Sequence, residues 1–302
     1  MRRSFVVIIC IICLFTSYLY GQEDNPSDLP AWLVLEKGKQ AYNERDLGMA
    51  FRYFREALDI SQPLPEAHMW MAVIYEEEGE YDLAEKHYLE ALTEERELYI
   101  LEDAFLIRYR LSEMYQLSRE YGKYEATLKD LVASDELTIE NIALRNAMVR
   151  NLRESGLDKL FELYRIEIPK YQRAYAELGI FYYKTGRYAE SIHHLTLSIL
   201  DAFSTCMSDV MERNPGYTFE KTHDFLHLCM NNKRITGYLV RSNFFMNLYY
   251  LGCALYAEGE LNHARDIWLT VKEHAVHPEW IHRAEEQIRK PFIEPILPLI
   301  TK

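Results

Sequence analysis

Near its N-terminus the chain repeats itself at a fixed spacing of 34 residues. Small residues align with small residues and an aromatic ring aligns with an aromatic ring across the repeat. The matched pairs are Gly38 with Ala72, Ala50 with Ala84, Phe54 with Tyr88 and Ala57 with Ala91. A repeat of this length indicates a supersecondary unit that cannot bury its apolar face alone and must stack on its neighbours.

Further copies of the pattern occur later in the chain. Two of them are YAELGIFYYKTGRYAESIHHLTLSI and LYYLGCALYAEGELNHARDIWLTV. RLSEMYQLSREYGKYEATLKDL is weaker, because Tyr124 stands where a small residue is expected. We interpret residues 137–169 as a degenerate repeat in which Gly156 ends one helix and Pro169 stops the next.

The spacing of small and aromatic residues has a physical reason. A small residue lets two helices approach closely at their crossing, and an aromatic ring fills the space one turn away. A glycine in the left-handed conformation ends the first helix. The second copy carries the whole pattern: Ala72, Tyr75, Gly79, Tyr81, Ala84, Tyr88 and Ala91.

These residues resemble the motif of the tetratricopeptide repeat (TPR) family. The resemblance implies an all-α fold, a right-handed superhelical array of helical hairpins, here with one helical insertion. We expect TPR-like repeats at 31–200, one or two of them degenerate. The helical insertion follows at 201–240, and a repeat with a capping helix follows at 241–290.

The insertion and the C-terminal tail differ from the repeats. In the insertion, Asn214-Pro215-Gly216 predicts a turn. We expect DAFSTCMSDVMER to extend the preceding helix and KTHDFLHLCMNNKRITGYLV to form another. The tail, 291–302, is apolar but has three prolines, which exclude a helix. We expect it to dock on the chain itself rather than on a partner, because an exposed apolar tail is unfavourable.

The first residues predict export. Arg2 and Arg3 precede an apolar run from Phe5 to Tyr20, and polar residues follow. Residues 1–21 are therefore predicted to be a signal peptide, and 22–30 a linker. An uncleaved inner-membrane anchor is the alternative, although the run is shorter than the roughly 20 residues of a spanning helix. We expect a periplasmic or cell-envelope location.

Charge and motifs exclude several functions. The net charge of −13 disfavours nucleic-acid binding and contact of the folded body with anionic lipid. No phosphate loop, nucleophile elbow or His-Glu-x-x-His motif is present, so we expect neither catalysis nor a cofactor. The weak metal candidates are His223, His227 and Cys229, for which no second ligand pair has a recognised spacing.

Three cysteines follow the predicted signal, so they cannot all pair with one another. A Cys206–Cys229 bridge would suit an oxidising compartment. Cys253 lies in an apolar helix pattern and is predicted to be a buried hydrophobic residue.

The resemblance also implies where a partner binds, because the first helix of each TPR hairpin lines a concave groove. The residues carried over to that groove are Trp32, Leu35, Lys39, Tyr42, Met69, Glu76, Tyr109, Arg173, Tyr183, Tyr249 and Tyr256. The Lys-Asn-Arg clamp by which some family members hold a C-terminal carboxylate is not visible here.

These observations favour a protein–protein interaction scaffold or adaptor in the cell envelope that binds segments of other proteins. A ligand-binding subunit that encloses a small apolar molecule is the alternative. A metal-dependent enzyme built on the histidines of the insertion is less favoured.

Overall fold

The computed structural model describes residues 29–133, 135, 142–167, 170–294 and 297. In this part of the chain the secondary structure is entirely helical, as predicted. The helices are α1 Ala31–Asn43, α2 Leu47–Ile60, α3 Pro65–Glu78, α4 Tyr81–Thr93, α5 Asp103–Ser118, α6 Tyr121–Val132, α7 Ile142–Leu163, α8 Gln172–Lys184, α9 Tyr188–Arg213, α10 Thr222–Met230, α11 Lys233–Arg241, α12 Phe244–Ala257, α13 Leu261–His274 and α14 Pro278–Arg289.

The predicted signal peptide or anchor at 1–21 lies outside the described residues. Among the helices that the structure describes, none has both the length and the apolar character needed to cross a membrane.

The chain divides into two compact units, Met1–Met114 and Tyr115–Lys302. In unit 1, α1 packs on α2, α3 packs on α4, and α2 also packs on α3. In unit 2, α8 packs on α9 and α12 packs on α13, while α9 joins these two hairpins by packing on α12. The helices therefore pack as sequence-adjacent pairs, which the sequence predicts for helical hairpins.

A small residue on the first helix meets a large one on the second in these hairpins. A methyl group added to Gly252 would lie 2.6 Å from Nε1 of Trp268, and one added to Gly179 would lie 2.6 Å from Cγ of Leu195. Both pairs are separated by 16 residues in sequence, as are Gly38 and Phe54. The aligned glycines thus mark the closest approach of the paired helices.

The turn inside several hairpins uses a left-handed residue. Gly79 ends α3 with φ +79°, and Gly186 and Gly259 adopt the same region with φ +79° and +90°. At two other hairpin turns the residue is an arginine: Arg45 has φ +66° and Arg119 has φ +63°. The turn geometry is therefore retained even where a side chain makes it less favourable.

The insertion differs in one respect from its prediction. Helix α9 does continue through the expected extension, to Arg213. The next segment, however, forms two helices, α10 and α11, instead of one. Asn232 separates them, because its side-chain oxygen accepts hydrogen bonds from the N–H groups of Arg234 and Ile235 and so starts α11.

The insertion belongs to the core of unit 2. Helix α10 packs on α7 and α13, and α11 packs on α9 and α12. Their inner faces bury Phe225, Leu226, Ile235 and Leu239. The insertion therefore serves as packing between hairpins of this unit.

Two remaining predictions concern the ends of repeats. Gly156 interrupts α7 with φ +78°, as predicted, while Pro169 lies outside the described residues. The predicted capping helix is α14, which packs on α13. It begins after His277, whose side chain accepts a hydrogen bond from the N–H of Glu279.

Candidate functional site

The described residues of the C-terminal tail, 291–294 and 297, lie on the first helices of two hairpins of unit 2, α8 and α12, and on α14. The backbone N–H of Glu294 donates to the hydroxyl of Tyr183 over 3.1 Å. The carboxylate of Glu294 accepts a hydrogen bond of 2.7 Å from Tyr249 and pairs with the guanidinium of Arg283. One tail residue is thus held through both its backbone and its side chain.

The neighbouring tail residues are held through their backbones. Gln287 is fully buried; its amide nitrogen donates to the carbonyl of Phe292 and its oxygen accepts from the N–H of Phe292. The hydroxyl of Tyr256 donates to the carbonyl of Pro291 over 3.4 Å. Further along, the N–H of Leu297 donates to the carbonyl of Lys184 over 2.7 Å. The described part of the tail therefore docks on the chain itself, as predicted.

Aromatic rings surround the arginine that binds the tail. The guanidinium carbon of Arg283 lies 4.7 Å from the ring centre of Tyr249, 5.5 Å from that of Tyr250 and 5.0 Å from that of Trp280. Burial raises the pKa of Tyr249, so its hydroxyl stays protonated and can donate to Glu294. We call this surface, formed by Tyr183, Tyr249, Tyr256, Arg283 and Gln287, the tail groove.

Unit 1 has an open pocket on the corresponding helices, α1, α3 and α5. Its volume is about 460 Å³. Most of its wall is apolar or aromatic, with several charged groups. The lining residues are Lys39, Tyr42, Glu66, Met69, Trp70, Val73, Tyr99, Ile100, Asp103, Leu106, Ile107 and Arg110. We call it the unit 1 pocket.

Three buried polar atoms of the unit 1 pocket have no hydrogen-bond partner among the described residues. Glu66 is only 3% exposed; its Oε1 accepts from the N–H of Tyr99, whereas Oε2 is unpartnered. Nε of Arg110 and the indole Nε1 of Trp70 are also buried and unpartnered. Its ring lies 5.1 Å from that of Tyr42. The pocket thus offers one buried acceptor and two buried donors beside aromatic walls.

The basic groups of this pocket are already paired. Nζ of Lys39 lies 2.7 Å from Glu36, and Nη1 of Arg110 lies 3.1 Å from Glu76. Burial raises the pKa of Asp103, against the smaller opposite effect of Lys39. Each cation thus has an acidic partner of its own, which weakens its attraction for a partner's carboxylate.

The predicted groove residues divide between these two surfaces. Lys39, Tyr42 and Met69 line the unit 1 pocket. Tyr183, Tyr249 and Tyr256 bind the tail. Six of the eleven predicted groove residues therefore lie on one of these two surfaces.

The other groove candidates have different environments. Leu35 is fully buried in the core of unit 1 and does not line a groove. Glu76 accepts a hydrogen bond from Tyr88, Arg173 pairs with Glu177, and neither they nor Tyr109 line the pocket. Trp32 is 56% exposed and also lies outside the pocket. Leu35 was mispredicted because the inner and groove-facing positions of a first helix are both apolar.

Sequence reasoning missed several residues of the two surfaces: Glu66, Trp70, Asp103, Arg110, Arg283 and Gln287. Trp70 directly follows the predicted groove residue Met69, so a wider stripe on α3 would have included it. Arg283 and Gln287 lie on the capping helix, four residues apart, and would have been found as one helical face.

The structure does not bring the weak metal candidates together. Cys229 is fully buried, while His227 is exposed on α10. A step of two residues turns a helix by about 200°, which places these side chains on opposite faces. His223 instead lies 3.2 Å from Glu273 and 3.0 Å from His274. The trio His223, His227 and Cys229 therefore does not form a ligand set.

The three cysteines of the described chain are free and buried. The Cys206 thiol contacts that of Cys229, and this hydrogen bond together with burial raises the pKa of Cys206. Burial raises the pKa of Cys253 to about 12. Cys206 and Cys253 are therefore packing groups with little thiolate character.

A second histidine cluster lies in unit 1, on α3 and α4. It consists of His68, His87 and Glu90, whose ligand atoms converge. Sequence reasoning missed it, because His68 and His87 are 19 residues apart and form no known spacing motif.

Comparison with known proteins gives relatives but no family, as no protein-family model matches the chain. The chain is similar to an uncharacterized protein of Borreliella burgdorferi, with 24% identity over 308 residues, 91% of this chain and 94% of the relative. It is also similar to an uncharacterized protein of Treponema pallidum, with 25% identity over 228 residues, 74% of this chain. The matched region spans 61% of the length of the Treponema protein.

Proposed function

We propose that this protein is a non-catalytic interaction scaffold of the cell envelope, which binds extended segments of partner proteins on the first helices of its hairpins. The observation that carries the proposal is the docking of a non-helical, proline-containing segment, the chain's own tail, in the tail groove. An intramolecular segment is a guide to what such a groove accepts from another chain.

The contacts with the tail are of two kinds: some contribute affinity for any segment, and others contribute specificity. Gln287, Tyr183 and the carbonyl of Lys184 bind backbone groups, which any extended segment possesses. Arg283 and Tyr249 bind a carboxylate, which only an acidic residue supplies. A partner for this groove would therefore be an extended segment with an acidic side chain, able to replace the tail.

The unit 1 pocket suits a different segment. Its unpartnered acceptor is Oε2 of Glu66, and its unpartnered donors are Nε1 of Trp70 and Nε of Arg110. A partner's backbone carbonyl would satisfy the indole, and a lysine or arginine side chain would satisfy the carboxylate. The aromatic rings beside them favour a cation as well. We infer that this pocket binds an apolar segment that carries one basic residue.

Photo-crosslinking in living cells tests the proposal. A photoreactive amino acid at Ile100, which is 56% exposed on the pocket wall, should capture one protein of defined mass. Leu106→Glu should abolish capture, because it places a charge among apolar groups of the pocket. Leu101→Glu is the matched control: Leu101 is also exposed, at 60%, but does not line the pocket. Equal capture in the two variants would rule out this pocket as the binding surface.

The volume of the unit 1 pocket also favours the alternative of a small-molecule-binding subunit. Pockets for small ligands are commonly about 300–1,000 Å³ and largely apolar. Native mass spectrometry of the purified protein distinguishes the two functions. Retention of a defined small-molecule mass, lost in Leu106→Glu, would favour the ligand-binding subunit over the scaffold.

A further inference from the structure

Three side chains of the second hairpin converge on one point. His68 lies on α3, and His87 and Glu90 lie one turn apart on α4. Nδ1 of His68 is 3.0 Å from Nδ1 of His87. Oε2 of Glu90 is 3.0 Å from the first of these nitrogens and 3.2 Å from the second. The three atoms thus form a nearly equilateral triangle.

Hydrogen bonds alone cannot satisfy this triangle. Each Nδ1 carries either one hydrogen or one lone pair in the plane of its ring, so it makes one hydrogen bond. If both nitrogens donate to Glu90, the contact between His68 and His87 is a contact of two donors. If one histidine donates to the other, one of the contacts with Glu90 lacks a hydrogen. Unless a further group binds these three atoms, at least one of the three short contacts is therefore unfavourable.

A metal ion satisfies all three atoms at once. Zinc binds imidazole nitrogen and carboxylate oxygen at about 2.0–2.1 Å, so two ligands at the tetrahedral angle lie about 3.3 Å apart. The observed separations of 3.0–3.2 Å are close to this value. Two imidazoles and one carboxylate also suit a first-row transition metal better than Mg²⁺ or Ca²⁺, which prefer oxygen ligands.

We propose that His68, His87 and Glu90 bind one divalent transition-metal ion of the zinc class, through the two Nδ1 atoms and Oε2. The site is independent of the proposed scaffold function. A cavity of about 590 Å³ reaches His68 and Glu90 and leaves room for a fourth ligand, a water molecule or a side chain of a partner. Bound metal would join α3 to α4 inside one hairpin.

The surroundings of the histidines favour metal binding. All three proposed ligand residues are partly buried, so neighbouring side chains restrain them. The ring of Tyr75 stacks on that of His87 at 5.5 Å and restrains its orientation. Lys86 opposes a cation, but it lies 3.9 Å from Oε1 of Glu90, the oxygen outside the triangle.

The histidine cluster of unit 2 provides an internal comparison. His223, Glu273 and His274 also approach one another, and His223 makes both of the short contacts. His223 and Glu273 are exposed, however. Exposed ligands are less restrained, so this cluster should bind metal more weakly. It serves as the matched control.

A zinc titration of the full chain tests the site. The protein is first stripped of metal with a chelator, and its zinc affinity is then measured in competition with a chromophoric chelator. We expect about one tight equivalent per chain. His87→Ala should weaken binding by more than about 100-fold, the upper end of the effect of losing an outer-shell partner alone. The double variant His223→Ala, His274→Ala should bind as tightly as the wild type. Equal zinc affinity of the wild type and His87→Ala would overturn the proposal.

Two measurements guard against a folding defect in His87→Ala. Glu90→Gln keeps the shape of the side chain and should lose the site while its circular dichroism stays that of the wild type. Cobalt(II) added to the wild-type chain should give the intense visible absorption of four-coordinate cobalt, which needs no variant. The proposal would also be overturned if cobalt gave only the weak absorption of six-coordinate cobalt and if the wild type and Glu90→Gln gave the same spectrum.

Discussion

The backbone N–H of Glu294 donates a hydrogen bond of 3.1 Å to the hydroxyl of Tyr183, which lies 111 residues earlier in the chain. This contact joins the C-terminal tail to the first helix of a hairpin. Tyr183 is 1% exposed, so a predicted partner-binding residue is already covered by the chain itself. A partner of the tail groove would have to compete with this intramolecular contact.

Glu294→Ala should release the tail. The change removes the carboxylate that accepts from Tyr249 and pairs with Arg283; hydrogen bonds to charged groups contribute about 1.5–3 kcal/mol each when well formed. We expect faster amide hydrogen exchange at positions 292 and 294. Ile293→Ser is the control, because Ile293 is 47% exposed and should leave exchange unchanged. Unchanged protection in Glu294→Ala would show that the carboxylate does not hold the tail.

Gly252→Ala should destabilise unit 2. The added methyl group would lie 2.6 Å from Nε1 of Trp268, which is fully buried, and overpacking of this kind costs about 1–3 kcal/mol. Urea denaturation monitored by tryptophan fluorescence measures the loss. Gly122→Ala is the control, since its added methyl group meets open space within α6; it should raise stability by about 0.5–1 kcal/mol. Equal effects of the two substitutions would contradict the close approach of α12 and α13.

Arg119→Gly should stabilise the protein by about 0.5–1 kcal/mol, because a left-handed backbone is unfavourable for a residue with a side chain. Arg119 has φ +63° at a turn where other hairpins of the chain have glycine. Arg119→Ala separates the backbone effect from loss of the charge and should give no gain. A gain of the same size in both variants, measured by urea denaturation, would assign the effect to the charge.

Asp201 should make stability depend on pH. It is 2% exposed, and burial raises its pKa to about 7. The folded state therefore binds a proton that the unfolded state releases at about pH 4, so this residue lowers stability as pH rises from about 4 to 7. His194 acts in the opposite direction, because burial lowers its pKa to about 4. The informative quantity is consequently the difference between wild type and Asp201→Asn.

Urea denaturation at pH 5, 6 and 7 measures that difference. We expect the advantage of Asp201→Asn over the wild type to grow at each step, by up to about 1.4 kcal/mol per pH unit. Glu212→Gln is the control for loss of one carboxylate from the same helix, since Glu212 is exposed, and it should not give a difference that grows at each step. A constant difference for Asp201→Asn as well would mean that Asp201 is ionised throughout the range.

Much of the fold could be predicted because its signals are local. The pairs Gly252 with Trp268 and Gly179 with Leu195 lie within single hairpins, at the same separation in sequence. The break of α7 at Gly156 was also predictable from one residue. The division of the insertion into two helices was missed because Asn232 looks like an ordinary polar residue until its cap is formed.

The residues of the unit 1 pocket and the tail groove were less predictable, because their signals are not local in the sequence. First-helix periodicity identifies which residues face inward, but it does not distinguish Leu35 in the core from Met69 on the pocket wall. The pairing of Lys39 and Arg110 with their own acidic neighbours also depends on side-chain distances that the sequence does not specify.

The sequence by itself determined the helical hairpins, since each depends on size and turn preferences within about 34 residues. Only the tertiary structure decided where the tail docks, which polar atoms of the unit 1 pocket lack partners, and that His68 and His87 meet Glu90. These relations join residues on different helices, and no periodic pattern marks them. They arise when the hairpins close and pack, because packing sets the distances between side chains that the chain order leaves free.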